Sequence, residues 1–263
     1  MPKIEVNGST LHYQQAGTGT EALVLVHGLT SNLAFWPTLL IAGLAARYRI
    51  ILVDLRGHGY SGMPPTGYTT GSMAQDIKEL LDSLDIGSAH LLGHSYGGAV
   101  ALNLAILYPE RVISLILADV RVRSLQPSYV FYQWPYWRVI RENLAKHGIR
   151  IDEHTPDLEF QLLEQLARHR VNGKLGNMQS GTFFVPFLYG SSRRAEQWLK
   201  LIEATTAIDD FKAVADLTPD AVRNVKQPTL AVYGELSHCL PSLVALREAL
   251  PSCTDIVMRG VGH

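Results

Sequence analysis

Apolar residues in this chain gather into short unbroken runs: ALVLV (22–26), IILV (50–53), HLLG (90–93), ISLILA (113–118) and TLAVYG (229–234). A strand that is apolar on both sides is buried on both sides, so these runs predict a parallel sheet covered by helices. The N-terminal segment differs. Ile4 to Val6 and Leu11 to Tyr13 flank Asn7-Gly8, a dipeptide that accepts the positive φ of a tight turn, and predict an antiparallel hairpin.

Helical spacing fills the gaps between runs. From Ser72 to Leu84, Met73, Ile77, Leu80, Leu81 and Leu84 share one stripe, and Ser72 and Gln75 stand in capping-box spacing at its start. Tyr96 to Leu107 is apolar nearly all round and stops before Pro109, as a buried helix would. Strands alternating with helices predict an α/β fold. The alternation breaks between about Arg121 and Asp210, where aromatic clusters (YVFYQWPYW, 129–137; FFVPFLY, 183–189) accompany two amphipathic pieces. One starts at Thr155-Pro156 and carries Phe160, Leu163, Leu166 and Ala167; the other surrounds Trp198, Leu201 and Ile202. The pattern predicts a core of residues 1–120 and 210–263 with an inserted, mostly helical unit over 121–209, the sheet resuming at Pro228.

Composition narrows the partners. With 263 residues, 47% hydrophobic, 18% charged and a net charge of −1, the chain is neither a disordered polymer nor a binder of polyanions such as nucleic acid. A small-molecule substrate is expected, and no cofactor. The start MPKIEVNGST lacks a signal-peptide core, and no run approaches the roughly 18 apolar residues of a membrane span, so a cytoplasmic protein is expected. Cys239 and Cys253 stand in neither CxxC nor metal spacing and are read as reduced and structural. His147, His154 and His169 also lack ligand spacing, so no metal is assigned.

The chemistry centres on Gly93-His94-Ser95-Tyr96-Gly97, which joins an apolar strand to a helix. A serine on so sharp a turn is held out at the carboxyl edge of the sheet, with glycines two residues away on each side relieving the crowding. The Tyr96 N–H, at the helix N-terminus, then points at any developing oxyanion. The competing reading makes Ser95 a simple helix cap. His27-Gly28 follows the strand ALVLV where a second oxyanion donor is needed, and the Leu29 N–H is the candidate.

Two further motifs, Asp54-Leu55-Arg56-Gly57-His58-Gly59-Tyr60-Ser61 and a late Gly260-Val261-Gly262-His263, complete an ordered set. On these four motifs the chain resembles the α/β-hydrolase family. The resemblance implies a mostly parallel eight-stranded sheet with the antiparallel N-terminal hairpin, helices on both faces and an inserted helical cap. It makes Ser95 the nucleophile and His263 the general base, and it expects a final helix beyond His263. Arg56, His58 and Ser61 are read as loop architecture and His94 as a packed neighbour.

The third member of the triad departs from the pattern, because Ser237 stands where the family usually has an aspartate. Some members supply the acid one strand earlier, which implies Asp119 at the end of ISLILAD; Glu235 is the alternative, and a missing acid the third possibility. Trp134, Trp137, Phe183, Phe184 and Phe187 are candidates for a pocket wall, against the alternative that they pack the inserted unit's own core. Arg121, Arg123, Arg138 and Arg141 are read as a solvated face in preference to a site for an acidic substrate group. A serine nucleophile implies cleavage of a carboxylic ester or lactone through an acyl-enzyme, not the aspartate-based dehalogenase or epoxide chemistry of other members. Carbon-carbon bond hydrolysis of a diketone acid and non-catalytic small-molecule binding are the alternatives.

Overall fold

The apolar runs become strands whose alternate residues feed two cores. A computed structural model describes residues 1–126, 133–155, 157–175, 186–188 and 191–263. Its eight strands are β1 (Lys3–Val6), β2 (Ser9–Ala16), β3 (Glu21–Val26), β4 (Tyr48–Val53), β5 (Ala89–His94), β6 (Val112–Ala118), β7 (Thr229–Gly234) and β8 (Cys253–Met258). They form one sheet in the order β1-β2-β4-β3-β5-β6-β7-β8. β2 runs antiparallel to both β1 and β4, and every other pairing is parallel.

Leu23, Leu25, Ile50, Leu52 and Leu92 face α1 (Thr38–Leu44), packing with Leu40, Ile41 and Leu44. Their neighbours Val24, Val26, Ile51, Val53 and Leu91 face the other way, into a larger core with α2 (Thr70–Ser83) and α3 (Tyr96–Leu107). Each large aliphatic side chain buried this way contributes about 1.5–3 kcal/mol. The cap of α2 lies three residues before the expected one: the Thr69 hydroxyl, not that of Ser72, takes the first free donor, accepting from the Ser72 N–H at 3.1 Å.

Between β6 and β7 come α4 (Trp137–Lys146), α5 (Leu158–Val171), α6 (Arg193–Ala204), α7 (Ala207–Lys212) and α8 (Pro219–Arg223), with no strand among the described residues. The two amphipathic pieces foreseen there are α5 and α6; Pro156 lies outside the described residues. This segment shares the larger core, since Trp198 of α6 stacks on Phe211 of α7 at 5.9 Å and Phe211 meets Tyr96 of α3 at 5.1 Å. After β7, α9 (Leu240–Ala249) leads to β8 at the sheet edge. No described helix is long and apolar enough to cross a membrane.

The chain leaves β3 toward β4 on one side, while β5 lies on the other. The carboxyl ends of β3 and β5 therefore sit at a topological switch point, where connections diverge and open a crevice.

Candidate active site

Ser95 occupies that crevice at the β5–α3 junction, with φ 52° and ψ −123°, a conformation rare for a side-chain-bearing residue. The turn is possible because its glycines leave room: a Cβ on Gly97 would collide with the carbonyl oxygens of Val26 and His27, and one on Gly93 with the Gly98 backbone. The Ser95 N–H donates to Ala118 O at 2.9 Å, tying the turn to β6. Although it stands at the N-cap position of α3, its hydroxyl makes no capping bond. Instead Ser95 Oγ lies 3.0 Å from His263 Nε2, 168 residues away in sequence.

The other nitrogen of His263 has two neighbours, Asp119 Oδ1 at 3.9 Å and Cys239 Sγ at 3.7 Å. Asp119, itself at φ 53°, is buried at the end of β6. Its Oδ2 accepts from the Gly234 N–H at 3.3 Å, and Oδ1 has no hydrogen-bond partner among the described residues. Burial opposes a charge on His263, but Cys239 Sγ and the Asp119 carboxylate on its Nδ1 side outweigh it and push the imidazolium up to about 10. Glu235 is turned elsewhere: exposed at the surface, it accepts from the Gly260 N–H at 2.8 Å, so it is not the acid facing His263. Ser237 is buried and caps the next turn, accepting from the Cys239 N–H at 3.0 Å.

His94 and His238 flank the His263 ring with centroids at 4.9 and 4.7 Å. Both are driven well below the ordinary imidazole range, first by burial and then by the charge of His263, and are neutral. Phe35 stacks on His94 at 4.6 Å, in keeping with a packed neighbour.

The loop after β3 is held by groups that the motifs supply. Asp54 Oδ1 accepts from the Leu33 N–H at 2.7 Å and Oδ2 from the Tyr60 N–H at 2.9 Å. His27, which burial followed by His58 pushes down to about 3, bonds Gly28 O through Nδ1 at 2.7 Å and accepts from the Leu55 N–H through Nε2 at 3.1 Å. This brings Gly28 so close to Ser95 that a Cβ on it would stand 3.0 Å from the Ser95 Cβ. Among the described residues neither the Leu29 nor the Tyr96 N–H has an acceptor, and both residues line the pocket beside Ser95. Arg56 is spent on a buried pair with Asp76, His58 on Arg56 O, and Ser61 on Asp54 O, all architectural.

A cavity of about 220 Å³ opens over Ser95 and His263. Trp134 and Trp137 line it, and Trp134 Nε1 donates to Leu236 O at 3.1 Å. Phe187 does not line it, because its ring is buried in the large core; Phe183 and Phe184 lie outside the described residues. Arg121 and Arg123 are a second correction: rather than facing solvent, they line the cavity and share one oxygen of Glu159 at 2.7 and 2.8 Å. Sequence reasoning also missed Cys239 and His238, whose ligand atoms lie with that of His263 within 4.8 Å of one another. Residues 24 apart carry no local spacing that would have revealed them.

A sequence model of the alpha/beta hydrolase fold matches residues 21–263. A 2-hydroxy-6-oxononadienedioate/2-hydroxy-6-oxononatrienedioate hydrolase of Burkholderia vietnamiensis is 43% identical over 250 residues, 87% of this chain and 84% of the relative. The dihydrolipoyllysine-residue acetyltransferase component of the acetoin cleaving system of Pseudomonas putida is 45% identical over 116 residues, 44% of this chain, which spans only 31% of that relative's length. Among solved structures, a meta-cleavage product hydrolase from Pseudomonas fluorescens is similar at TM-score 0.69 and 20% identity, covering 100% of this chain and 90% of the other. An N-acyl homoserine lactone degrading enzyme is similar at TM-score 0.64 and 22% identity, covering 100% and 93%.

Proposed function

Because the chain belongs to the α/β-hydrolase family, we propose that it is a serine hydrolase in which Ser95 attacks a substrate carbonyl and forms an acyl-enzyme. The single observation that supports this most is the 3.0 Å approach of Ser95 Oγ to His263 Nε2, within reach for proton transfer. A serine hydroxyl is a poor nucleophile until an imidazole takes its proton, and His263 does so through Nε2. The imidazolium that results is steadied by the Asp119 carboxylate on the Nδ1 side, with Asp119 in the acid's role. The N–H groups of Leu29 and Tyr96 hold the oxyanion, and losing one such donor costs on the order of a hundredfold or more in rate. His263 then returns the proton to the leaving oxygen, and a water molecule repeats the sequence to release the acid. The helices between β6 and β7 act as a cap whose Trp134 and Trp137 exclude water from the acyl-enzyme.

Esters and lactones are the favoured substrates, since their leaving oxygen needs only general-acid help. A second reading, carbon-carbon bond hydrolysis of a diketone acid, draws support from Arg121 and Arg123. Both guanidinium groups line the cavity beside Glu159, where a substrate carboxylate can accept from their N–H donors. The name of the Burkholderia relative, a dienedioate hydrolase, agrees. Turnover of a p-nitrophenyl acyl ester and of a vinylogous diketone acid, measured side by side, separates the two. Ester turnover alone supports the first reading; turnover of the diketone acid alone overturns it in favour of the second.

A further inference from the structure

The Nδ1 side of His263 is where the fold collects more metal-binding chemistry than acid-base catalysis requires. Cys239 Sγ lies 3.7 Å from His263 Nδ1, His238 sits against the same ring at 4.7 Å, and the ligand atoms of all three are within 4.8 Å of one another. A tetrahedral Zn²⁺ with bonds of about 2.3 Å to sulfur and 2.0 Å to nitrogen holds those two ligand atoms about 3.5 Å apart, close to the Cys239–His263 spacing. Two imidazoles and a thiolate are ligands that Zn²⁺ favours, and three protein ligands leave a fourth position for water. The surroundings also suit a dication: Asp119 Oδ1 is buried beside Nδ1 and lacks a hydrogen-bond partner among the described residues, so thiolate and carboxylate together balance the charge. Access is through the substrate pocket, which all three residues line.

We propose that His238, Cys239 and His263 form an inhibitory site for Zn²⁺ or a similar borderline-soft dication. On binding, the Cys239–His263 pair releases one proton to solvent, so that Cys239 coordinates as thiolate and each histidine as neutral imidazole. Coordination through Nδ1 leaves the only ring proton of His263 on Nε2. That nitrogen then donates to Ser95 Oγ and has no lone pair to accept the serine's proton, so the metal switches off the nucleophile without touching it. This step rests on the reading of His263 as the base, whereas the site itself does not.

The test has two independent readouts on the full chain. In metal-stripped buffer, Co²⁺ titrated into the protein is expected to produce a thiolate-to-cobalt charge-transfer band at one ion per chain. Zn²⁺ displaces that band, Cys239→Ser abolishes it, and His238→Gln weakens binding at least tenfold. In parallel, Zn²⁺ slows labelling of Ser95 by a fluorophosphonate at least tenfold, and a chelator restores the rate. No band on the wild-type protein, or a band unchanged in both variants, overturns the site while leaving the Ser95 chemistry intact. A band with undiminished labelling overturns the inhibition and, with it, His263 as the base.

Discussion

His263 meets Ser95 through one ring nitrogen and faces Asp119 and Cys239 with the other, so its proton affinity governs the proposed chemistry. A general base works only when neutral. With its pKa raised from 6.5 to about 10, His263 loses activity as pH falls through that raised value, and the rate drops tenfold per unit below it. Cys239 is one of the two groups that raise His263, so Cys239→Ala is expected to move the acid limb of the labelling rate toward the ordinary histidine value. The pH profile of both proteins, measured with a chelator present, checks this; a limb at or below 6.5 that the substitution leaves in place contradicts it. Asp119→Asn keeps the shape and removes the charge that steadies the imidazolium. Turnover should fall about a hundredfold or more, and undiminished turnover removes Asp119 from the triad.

At the scale of elements, the β5–α3 junction is a turn in which main chain packs on main chain. Gly97→Ala would thrust a methyl group against the carbonyl oxygens of Val26, the last residue of β3, and of His27, the next one, main-chain atoms that cannot swing aside as a side chain would. Overpacking of this kind costs about 1–3 kcal/mol, read as a lower urea midpoint, and is accompanied by loss of labelling. An unchanged midpoint would mean that the turn yields.

The legibility of elements followed burial. Tyr96–Leu107 was readable to the residue because it is apolar all round and ends at proline, and the buried runs became β3 to β7. No apolar run announced β8, since CTDIVM is an edge strand with exposed residues along its length. The cap of α2 shifted to Thr69 because two hydroxyl residues three apart compete for one end, and sequence does not choose between them. In the site, the motif residues were legible through their local strings, while the environment of His263 was not. Cys239 reaches the imidazole through the turn that Ser237 caps, and Arg121 and Arg123 become pocket residues only because α5 brings Glu159 against them.

At the scale of the whole molecule, the sheet carries the nucleophile at its switch point and the helices between β6 and β7 supply most of the remaining wall. Ser95, Asp119 and His263 stand at the ends of sheet strands or just beyond them, and the charge of the pocket, from Arg121, Arg123 and Glu159, lies between β6 and β7. Arg123→Gln should therefore alter selectivity more than chemistry. Its kcat/KM for a substrate bearing a carboxylate is expected to drop about tenfold or more relative to that for a neutral ester. Equal losses on both substrates would assign Arg123 to holding Glu159 and not to substrate.

The most direct measurement is covalent labelling of the intact protein by a fluorophosphonate, followed by intact mass and by peptide mapping. Stoichiometric attachment at Ser95, abolished in Ser95→Ala and slowed at least a hundredfold in His263→Ala, is the predicted result. A folded protein that takes up no label, or takes it up equally in Ser95→Ala, would contradict the serine-hydrolase reading and leave a fold that binds small molecules without cleaving them.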